Sequence, residues 1–288
     1  EELVLLQGHE GEVSGATWSR DDSKVLTSSS DGTVRIWDAN TRAELVTLQS
    51  GRWSYTQWSD TQATWSADES KILTLMEDGT ARIWDATSGL ELVTFHNYGS
   101  NIYSAKWNRD ESKLLTLAGD NIVRIWDATS GTKLAHIQGY TNRIHSAEWN
   151  AAGTKVLTVG CDELDTSQSC ISGTVHIWNV GDAKKLIALD GYEGVVGSAM
   201  WNADGSKILT LHERYDYEVR IWDADSGEQL SLLQGHEGEI YSAMWNADES
   251  KILTSSADDT ARIWDADTGE ELVIFLGHEG IVDFAEWS

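Results

Sequence analysis

The chain consists of short apolar runs separated by turns rich in Gly, Asp, Asn and Ser. One set reads IYSAMWN at 240–246, KILTSSA at 251–257, TARIWDA at 260–266 and ELVIFL at 271–276. Runs of this length between turn residues predict β-strands, and the apolar spacing of a helix does not occur. This unit is therefore expected to form four antiparallel strands.

Two series of tryptophans show that the unit recurs, and of the 15 tryptophans only Trp53 and Trp58 fall outside them. The first series is Trp37, Trp84, Trp126, Trp178, Trp222 and Trp264; the second is Trp18, Trp65, Trp107, Trp149, Trp201, Trp245 and Trp287. A repeat near 42 residues indicates an array of one supersecondary unit. Stacked around an axis, four-stranded sheets bury both faces against their neighbours. The sequence thus predicts an all-β fold, a β-propeller of four-stranded antiparallel blades.

The signature within each unit resembles the WD-repeat family. The first unit reads Gly8-His9, then Asp31-Gly32-Thr33, then Trp37-Asp38. The Trp-Asp pair returns at 84–85, 126–127, 222–223 and 264–265, with Trp178-Asn179 as a variant. The resemblance implies a ring of blades, most often seven.

Seven blades are expected, the last of them incomplete. The predicted units lie at 8–48, 49–95, 96–137, 138–189, 190–233 and 234–276, with a partial blade from 277–288 and 1–7, all in one domain spanning 1–288. The family closes its ring by building one blade from both chain ends, which this arrangement resembles. The two middle strands of that blade are absent from the sequence, and we expect the native protein to supply them.

The resemblance also implies a buried network of His, Thr, Asp and Trp in a blade. In the first unit this is His9, Thr27, Asp31 and Trp37, and in the sixth it is His236, Thr254, Asp258 and Trp264. Because these histidines recur at equivalent positions, a structural role is favoured over catalysis or metal binding. Three units carry Tyr98, Tyr140 and Tyr192 in place of the histidine, and Ser172 is interpreted as the residue at the Asp position of the fourth.

The net charge of the chain disfavours some classes of binding partner. Asp and Glu number 47 against 21 Lys and Arg, giving a net charge of −26. A surface this acidic repels phosphate backbones and anionic lipids, so neither nucleic acid nor membrane is expected as a partner. No apolar run approaches the ~20 residues of a membrane-spanning helix. We expect a cytoplasmic protein with no cofactor and no bound metal.

Variable positions on the inner strands form the candidate binding surface. Apolar residues there are spaced by three and then two, as at Val13, Ala16 and Trp18, which predicts a β-bulge. In the family, the residues beside the first apolar position face the top rim. The candidates are Glu12, Ser14, Asn101, Tyr103, Arg143, His145, Val195, Gly197, Glu239, Tyr241, Ile281 and Asp283, joined by Ser30, Glu77, Gly119, Ile171, Tyr215 and Ala257 before the turn Asp. Aromatic residues and Arg are frequent in binding hot spots, which favours recognition over drift of exposed positions.

Insertions add to this surface. Trp53 and Trp58 lie in a polar segment of the second unit, where a contact surface and a local lid are equally compatible with the sequence. The fourth unit inserts CDELDTSQSC at 161–170. Its two cysteines could close a loop, but free thiols are expected in a cytosolic protein. Its carboxylates at 162, 163 and 165 are interpreted as a solvated acidic loop rather than a Ca²⁺ site.

The function expected is a protein-interaction scaffold or sensor, not an enzyme, that binds a protein or peptide through the rim. Resemblance to propellers at the ends of signalling proteins suggests further domains in the same polypeptide. A small-ligand or glycan-binding propeller is one alternative, and a hydrolase or lyase with a site in the central funnel is another. No nucleophile elbow, HExxH or phosphate-binding loop supports the enzyme.

Overall fold

All regular structure in the described residues of the computed structural model is β-structure. These residues are 5–49, 63–76, 78–97, 99–167, 169–189, 194–213, 217–278 and 280–287. They form 24 strands in six antiparallel sheets of four, each a meander in which strands adjacent in the chain are paired. The all-β class and the four-stranded blades predicted from the sequence are therefore confirmed.

The chain divides into two compact units, 1–136 and 137–288, with the boundary at the last residue of β12. The first sheets are β1 (Val13–Trp18), β2 (Lys24–Ser29), β3 (Thr33–Asp38) and β4 (Glu44–Gln49); β5 (Ala63–Trp65), β6 (Lys71–Leu75), β7 (Ala81–Asp85) and β8 (Glu91–Phe95); and β9 (Ile102–Trp107), β10 (Lys113–Ala118), β11 (Val123–Asp127) and β12 (Lys133–Ile137).

The second unit holds the remaining three sheets. They are β13 (Ile144–Trp149), β14 (Lys155–Leu164), β15 (Cys170–Asn179) and β16 (Lys185–Leu189); β17 (Val195–Trp201), β18 (Lys207–Glu213), β19 (Val219–Asp223) and β20 (Gln229–Leu233); and β21 (Ile240–Trp245), β22 (Lys251–Ser256), β23 (Ala261–Asp265) and β24 (Glu271–Phe275).

The core in each unit lies between successive sheets. In the second unit, Leu233 at the end of β20 packs with Ile240, Ile252 and Trp264 of the next sheet. In the first unit, Phe95 of β8 packs in the same way with Ile102 and other residues of the third sheet. In these two places the tryptophan of the Trp-Asp pair, Trp264 or Trp126, thus fills the space between its own sheet and the preceding one.

The last sheet has an apolar face that none of the described residues covers. Phe275 in β24 is 46% exposed, whereas its counterparts Leu48, Phe95, Ile137, Leu189 and Leu233 are at most 1% exposed. In the first unit, Trp18 of β1 is likewise 61% exposed. Both faces have the composition of a sheet-to-sheet contact.

The expected strands of a seventh blade do not form in the described residues. Residues 5–7 and 281–287 have no strand assignment, although the Val282 N–H donates to the Ser256 carbonyl at 3.1 Å. A strand is held by ladder hydrogen bonds to its neighbours. This sequence contains no middle strands with which those segments could pair.

The Asp of the Trp-Asp pair organises the turn after the third strand. In the sixth sheet, Asp265 Oδ1 accepts hydrogen bonds from the backbone N–H groups of Asp267 and Thr268 at 3.1 and 2.8 Å. Asn179 performs the same function in the fourth sheet, accepting from Gly181 and Asp182. The variant dipeptide therefore keeps the turn because only a side-chain oxygen is needed.

A glutamate in the turn after the first strand joins successive sheets. Glu249 has φ +60° and accepts hydrogen bonds from Asn202 Nδ2, at 2.9 Å, and from the Ala203 N–H of the preceding sheet. In the first unit Glu69 and Glu111, also at positive φ, accept from the backbone of Arg20 and Ala67. The contact recurs in both units.

Candidate functional site

A threonine hydroxyl on the second strand of every sheet accepts a hydrogen bond from an indole N–H. The distances from tryptophan Nε1 to threonine Oγ1 are 2.7–2.8 Å in the pairs Trp37–Thr27, Trp84–Thr74, Trp126–Thr116, Trp178–Thr158, Trp222–Thr210 and Trp264–Thr254. Most of these atoms are fully buried, so each indole N–H has a partner that replaces water.

In the first and sixth sheets the structure brings together all four residues of the expected network. His9 Nε2 lies 2.7 Å from Thr27 Oγ1, and His9 Nδ1 lies 2.9 Å from Asp31 Oδ2. His236 makes the same contacts with Thr254 and Asp258 at 2.7 and 2.8 Å. Because an ionised carboxylate can only accept, Nδ1–H donates to the aspartate. In that neutral tautomer Nε2 accepts from the threonine hydroxyl, whose oxygen accepts from the indole.

The network controls the charge of its members. Burial lowers the pKa of His236 and outweighs the opposing effect of Asp258, so the imidazole is neutral at pH 7. Burial raises the pKa of Asp258, but hydrogen bonds from Thr260, His236 and the Glu237 N–H more than offset it. The pKa therefore lies well below its usual range. The carboxylate is charged and the histidine is not, which is a structural pairing rather than an acid–base couple.

An arginine on the third strand supplies the charge partner, a role that sequence reasoning missed. Arg262 Nη2 lies 3.1 Å from Asp258, its Nη1 lies 2.7 Å from Glu271, and its guanidinium lies 6.0 Å from the Trp264 ring centroid. Arg35 makes equivalent contacts in the first sheet. The available signal was the Arg that stands two residues before the Trp in five of the six units, with His176 in its place in the fourth.

The fourth sheet builds its network from different residues. Tyr140 replaces the histidine, and its hydroxyl lies 2.9 Å from Thr158 Oγ1 and donates to the Thr158 carbonyl at 2.8 Å. The interpretation of Ser172 as the Asp equivalent is wrong. Asp162 occupies that position and accepts from Thr174 Oγ1 at 2.6 Å, as Asp258 accepts from Thr260. Counting forward from Lys155, rather than back from Trp178, would have identified it.

In the fifth sheet a histidine reaches the same hydroxyl from another direction. His212 Nε2 lies 3.0 Å from Thr210 Oγ1, two residues away on β18. Burial and then the charge of Arg220 lower the pKa of His212 to about 4. In the second sheet Met76 stands at the equivalent position, and the Thr74 hydroxyl donates to its sulfur at 3.2 Å. The expected Tyr98 and Tyr192 lie outside the described residues.

The predicted β-bulge is present in every inner strand that the structure describes in full. In β21, Ile240 pairs with Ser256 and Ser242 pairs with Ser255, which leaves Tyr241 opposite no residue. The same register shift makes Ser14, Tyr103, His145 and Gly197 the inserted residues of their strands. Each inserted residue is one of the predicted rim positions.

In three inner strands, the residue just before the first apolar position is hydrogen-bonded to the residue that follows the second strand. The Glu12 carbonyl accepts from the Ser30 N–H at 2.8 Å, the Asn101 carbonyl from Gly119 at 3.1 Å, and the Glu239 carbonyl from Ala257 at 2.8 Å. Glu12, Asn101 and Glu239 are themselves exposed. This is the arrangement expected of rim residues beside the turn.

In the fourth sheet, the prediction that Ile171 is the rim residue before the turn Asp is wrong. The Arg143 carbonyl accepts from the Cys161 N–H at 2.6 Å, while Ile171 lies on β15, across the hairpin. The error has the same origin as that for Ser172, because the insertion begins after the turn aspartate. Cys161 is therefore a rim-position residue that sequence reasoning missed.

The expectation of free thiols is also wrong, because Cys161 and Cys170 form a disulfide. Pairing of β14 with β15 extends from Lys155–Asn179 to Leu164–Cys170, so the inserted hairpin brings the two sulfurs together. Asp165 accepts hydrogen bonds from Ser167 and Ser169 in the hairpin turn.

Two groups of candidate residues result, one in each compact unit. Glu12, Ser14, Asn101 and Tyr103 belong to the first; Arg143, His145, Glu239, Tyr241 and Asp283 belong to the second. Tyr241 is 41% exposed, whereas Val195 is buried. Burial and the charge of Arg143 lower the pKa of His145. Trp53, Trp58, Glu77 and Tyr215 lie outside the described residues.

Within the described ranges, no helical segment has the length and apolar character that a bilayer crossing requires. The model of the family described as WD domain, G-beta repeat matches residues 1–38, 89–127 and 227–265. WD repeats generally serve as scaffolds for protein interaction, typically without enzymatic activity. The three matched stretches, together with one indole–threonine bond in each of the six sheets, support assignment to a WD-repeat family.

Proposed function

We propose that this protein is an interaction module that binds a protein or peptide through the rim residues of its inner strands. The observation that supports this proposal is the β-bulge. It recurs in the same register while the inserted residue changes from Ser14 to Tyr103, His145, Gly197 and Tyr241. A constant backbone with variable side chains suits recognition, because binding residues are commonly held in place by a rigid scaffold.

The chemistry of these side chains suits a polypeptide. Tyr241 offers an aromatic surface beside the exposed carboxylate of Glu239, and Arg143 and His145 are exposed on β13 and just before it. Tyrosine and arginine are enriched in the hot spots of protein interfaces. The net charge of −26 opposes association with nucleic acids. We propose a mixed polar and aromatic epitope on the partner.

The cellular setting is part of the same proposal. The protein acts as a scaffold or sensor within a larger signalling polypeptide in the cytoplasm. Rim residues provide the contact and the six sheets provide the support. Cross-linking of the protein in its native cells, followed by identification of the linked peptides, shows whether the partner is another domain or another chain.

Substitution at the bulges tests the binding surface. Tyr241→Ala and Tyr103→Ala should each weaken capture of the polypeptide partner by ~1–4 kcal/mol, because alanine removes a ring from the interface. Affinity is measured by interferometry with the immobilised full chain, and melting temperature is measured in parallel. Leu134→Ala, at an exposed position on β12, is the matched control and should leave affinity unchanged.

Two outcomes contradict the proposal. Unchanged affinity in both tyrosine variants means that the rim is not the contact surface. A glycan or metabolite hit in a ligand screen, with no polypeptide recovered from cells, instead identifies a small-ligand site.

A further inference from the structure

Three side chains with metal-ligating atoms converge at the base of the inserted hairpin. His145, Cys161 and Cys170 each offer one ligand atom, and these atoms all lie within 4.8 Å of one another. Cys161 is fully buried, Cys170 is partly buried, and His145 is exposed. The cluster is therefore fixed on one side and open to solvent on the other.

The backbone holds these residues in place independently of the disulfide. His145 is the bulge residue of β13, between the Ile144–Gly160 and Ser146–Val159 pairs. Cys161 pairs with Gly173 across the hairpin, and its N–H donates to the Arg143 carbonyl at 2.6 Å. Cys170 pairs with Leu164. Two adjacent ladders thus define the distance between the imidazole and both sulfurs.

The hairpin that carries the cysteines is specific to this sheet. Strands β14 and β15 have 10 residues each, whereas β22 and β23 have 6 and 5. Two sulfurs and one imidazole form the kind of ligand set that Zn²⁺ accepts in proteins. Cysteines placed this way in a reducing compartment more often bind metal than form a structural crosslink.

We infer that the reduced hairpin binds a thiophilic divalent cation of the Zn²⁺ class through Cys161, Cys170 and His145. Zinc–sulfur bonds of about 2.3 Å and zinc–nitrogen bonds of about 2.0 Å, at tetrahedral angles, place ligand atoms roughly 3.5–3.8 Å apart. The three atoms lie within 4.8 Å of one another in the structure, so opening the disulfide and small side-chain rotations bring them to that spacing. The fourth position faces solvent beside His145 and takes water or a donor atom from a partner.

Metal binding and the disulfide exclude each other, and the exchange between them balances. Two molecules of a low-molecular-weight thiol reduce the disulfide to two cysteine thiols and are oxidised to one small disulfide. The cation then binds both sulfurs as thiolates and displaces two protons to solvent. Arg143, two residues before His145, opposes an incoming cation by its charge.

Cobalt spectroscopy on the full chain tests the site. After reduction with a phosphine and removal of oxygen, Co²⁺ should produce a thiolate charge-transfer band and the intense visible bands of tetrahedral cobalt. The signal should saturate at one ion per chain, and Zn²⁺ should bleach it. Without reduction, the protein should show no such signal.

Variants separate the ligands from the fold. Cys170→Ser should remove most of the charge-transfer band. His145→Ala should weaken Zn²⁺ binding at least about tenfold, because loss of even an outer-shell partner costs that much. His136→Ala, at another exposed histidine, should bind as the parent does. His145 is exposed, so its variant should keep the parent circular dichroism.

Three results overturn the inference. One is the absence of tetrahedral cobalt bands in the reduced protein. Another is a His145→Ala variant with parent affinity, which removes the histidine from the ligand set. The third is equal cobalt binding by the oxidised protein, which locates the metal elsewhere.

Discussion

At the scale of single residues, each of the six sheets has a threonine hydroxyl that accepts from an indole N–H. The other side chains that contact these hydroxyls vary from sheet to sheet. The sequence motif was sufficient to predict His9, Asp31 and Trp37 around Thr27, because all four stand at the family spacing. It could not predict that His212 reaches Thr210 from within the same strand. A pattern based on spacing follows positions in the chain, whereas a hydrogen bond depends only on where two atoms lie.

Thr254→Val should be strongly destabilising. Valine has no hydroxyl, so Trp264 Nε1–H and His236 Nε2 both lose a buried partner. At about 1–3 kcal/mol for each of the two orphaned groups, the free energy of unfolding should fall by about 2–6 kcal/mol. Thr254→Ser retains the hydroxyl and should lose about 1 kcal/mol. Urea denaturation measures both, and equal losses would contradict the network.

His212 should make stability depend on pH in the acidic range. Burial lowers its pKa to about 4 in the folded chain, below the usual histidine pKa of about 6.5. Folding favours the neutral imidazole. The free energy of unfolding is therefore at its full value above pH 6.5 and decreases as the pH falls toward 4. The loss corresponds to about 3 kcal/mol.

His212→Met provides the comparison, because Met76 occupies this position in the second sheet and accepts from the threonine there. Between pH 7 and 4, the variant should lose about 3 kcal/mol less unfolding free energy than the parent. Denaturant titrations at several pH values measure the difference. Identical pH profiles would show that His212 is not held neutral.

At the scale of elements, the strands of the six complete sheets, their order and their bulges were predictable, because apolar spacing and turn residues specify each strand locally. The register of the fourth sheet was not. The inserted hairpin continues the ladder beyond the turn aspartate, so Asp162 and Cys161 replaced the expected Ser172 and Ile171. The contacts of Glu249 with the preceding sheet could not be predicted either, since they join turns 46 and 47 residues apart in the chain.

Substitutions at Glu249 should measure the free-energy cost of its left-handed backbone conformation. Glu249 has φ +60°, and Gly205 stands at the equivalent position of the fifth sheet with φ +75°. Glu249→Ala and Glu249→Gly both remove the contacts to Ala203 and Asn202, but only glycine relieves the left-handed conformation. The glycine variant should therefore be more stable than the alanine variant by about 1 kcal/mol.

Thermal and urea unfolding of the two variants measure this difference. In a conventional strand or helix position the order is reversed, because glycine loses more entropy on folding. An alanine variant as stable as the glycine variant, or more so, would mean that the turn adopts another conformation.

At the scale of the whole molecule, excess negative charge is the property most readily obtained from the sequence. Its 47 acidic residues face only 21 Lys and Arg, and arginines such as Arg262 are engaged within their own sheets. The remaining carboxylates repel one another in the compact state. Composition determines this effect, whereas the uncovered face around Phe275 became visible only when equivalent strands were compared in the structure.

Added NaCl should stabilise the fold. Screening reduces repulsion among exposed carboxylates more than it weakens the partly buried ion pairs, because screening acts mainly on solvent-exposed charges. Between 0.01 and 0.15 M salt the melting temperature should rise by about 2–4 °C for each kcal/mol gained. A falling melting temperature would show that ion pairs dominate.

That a threonine hydroxyl pairs with His9 in one sheet, with Tyr140 in another and with His212 in a third has an evolutionary consequence. A duplicated repeat need only retain one acceptor to remain foldable. Copies of the repeat can therefore replace the signature histidine by another residue, and each intermediate sequence still folds. Divergent members of such an array escape detection by motif long before they lose their architecture.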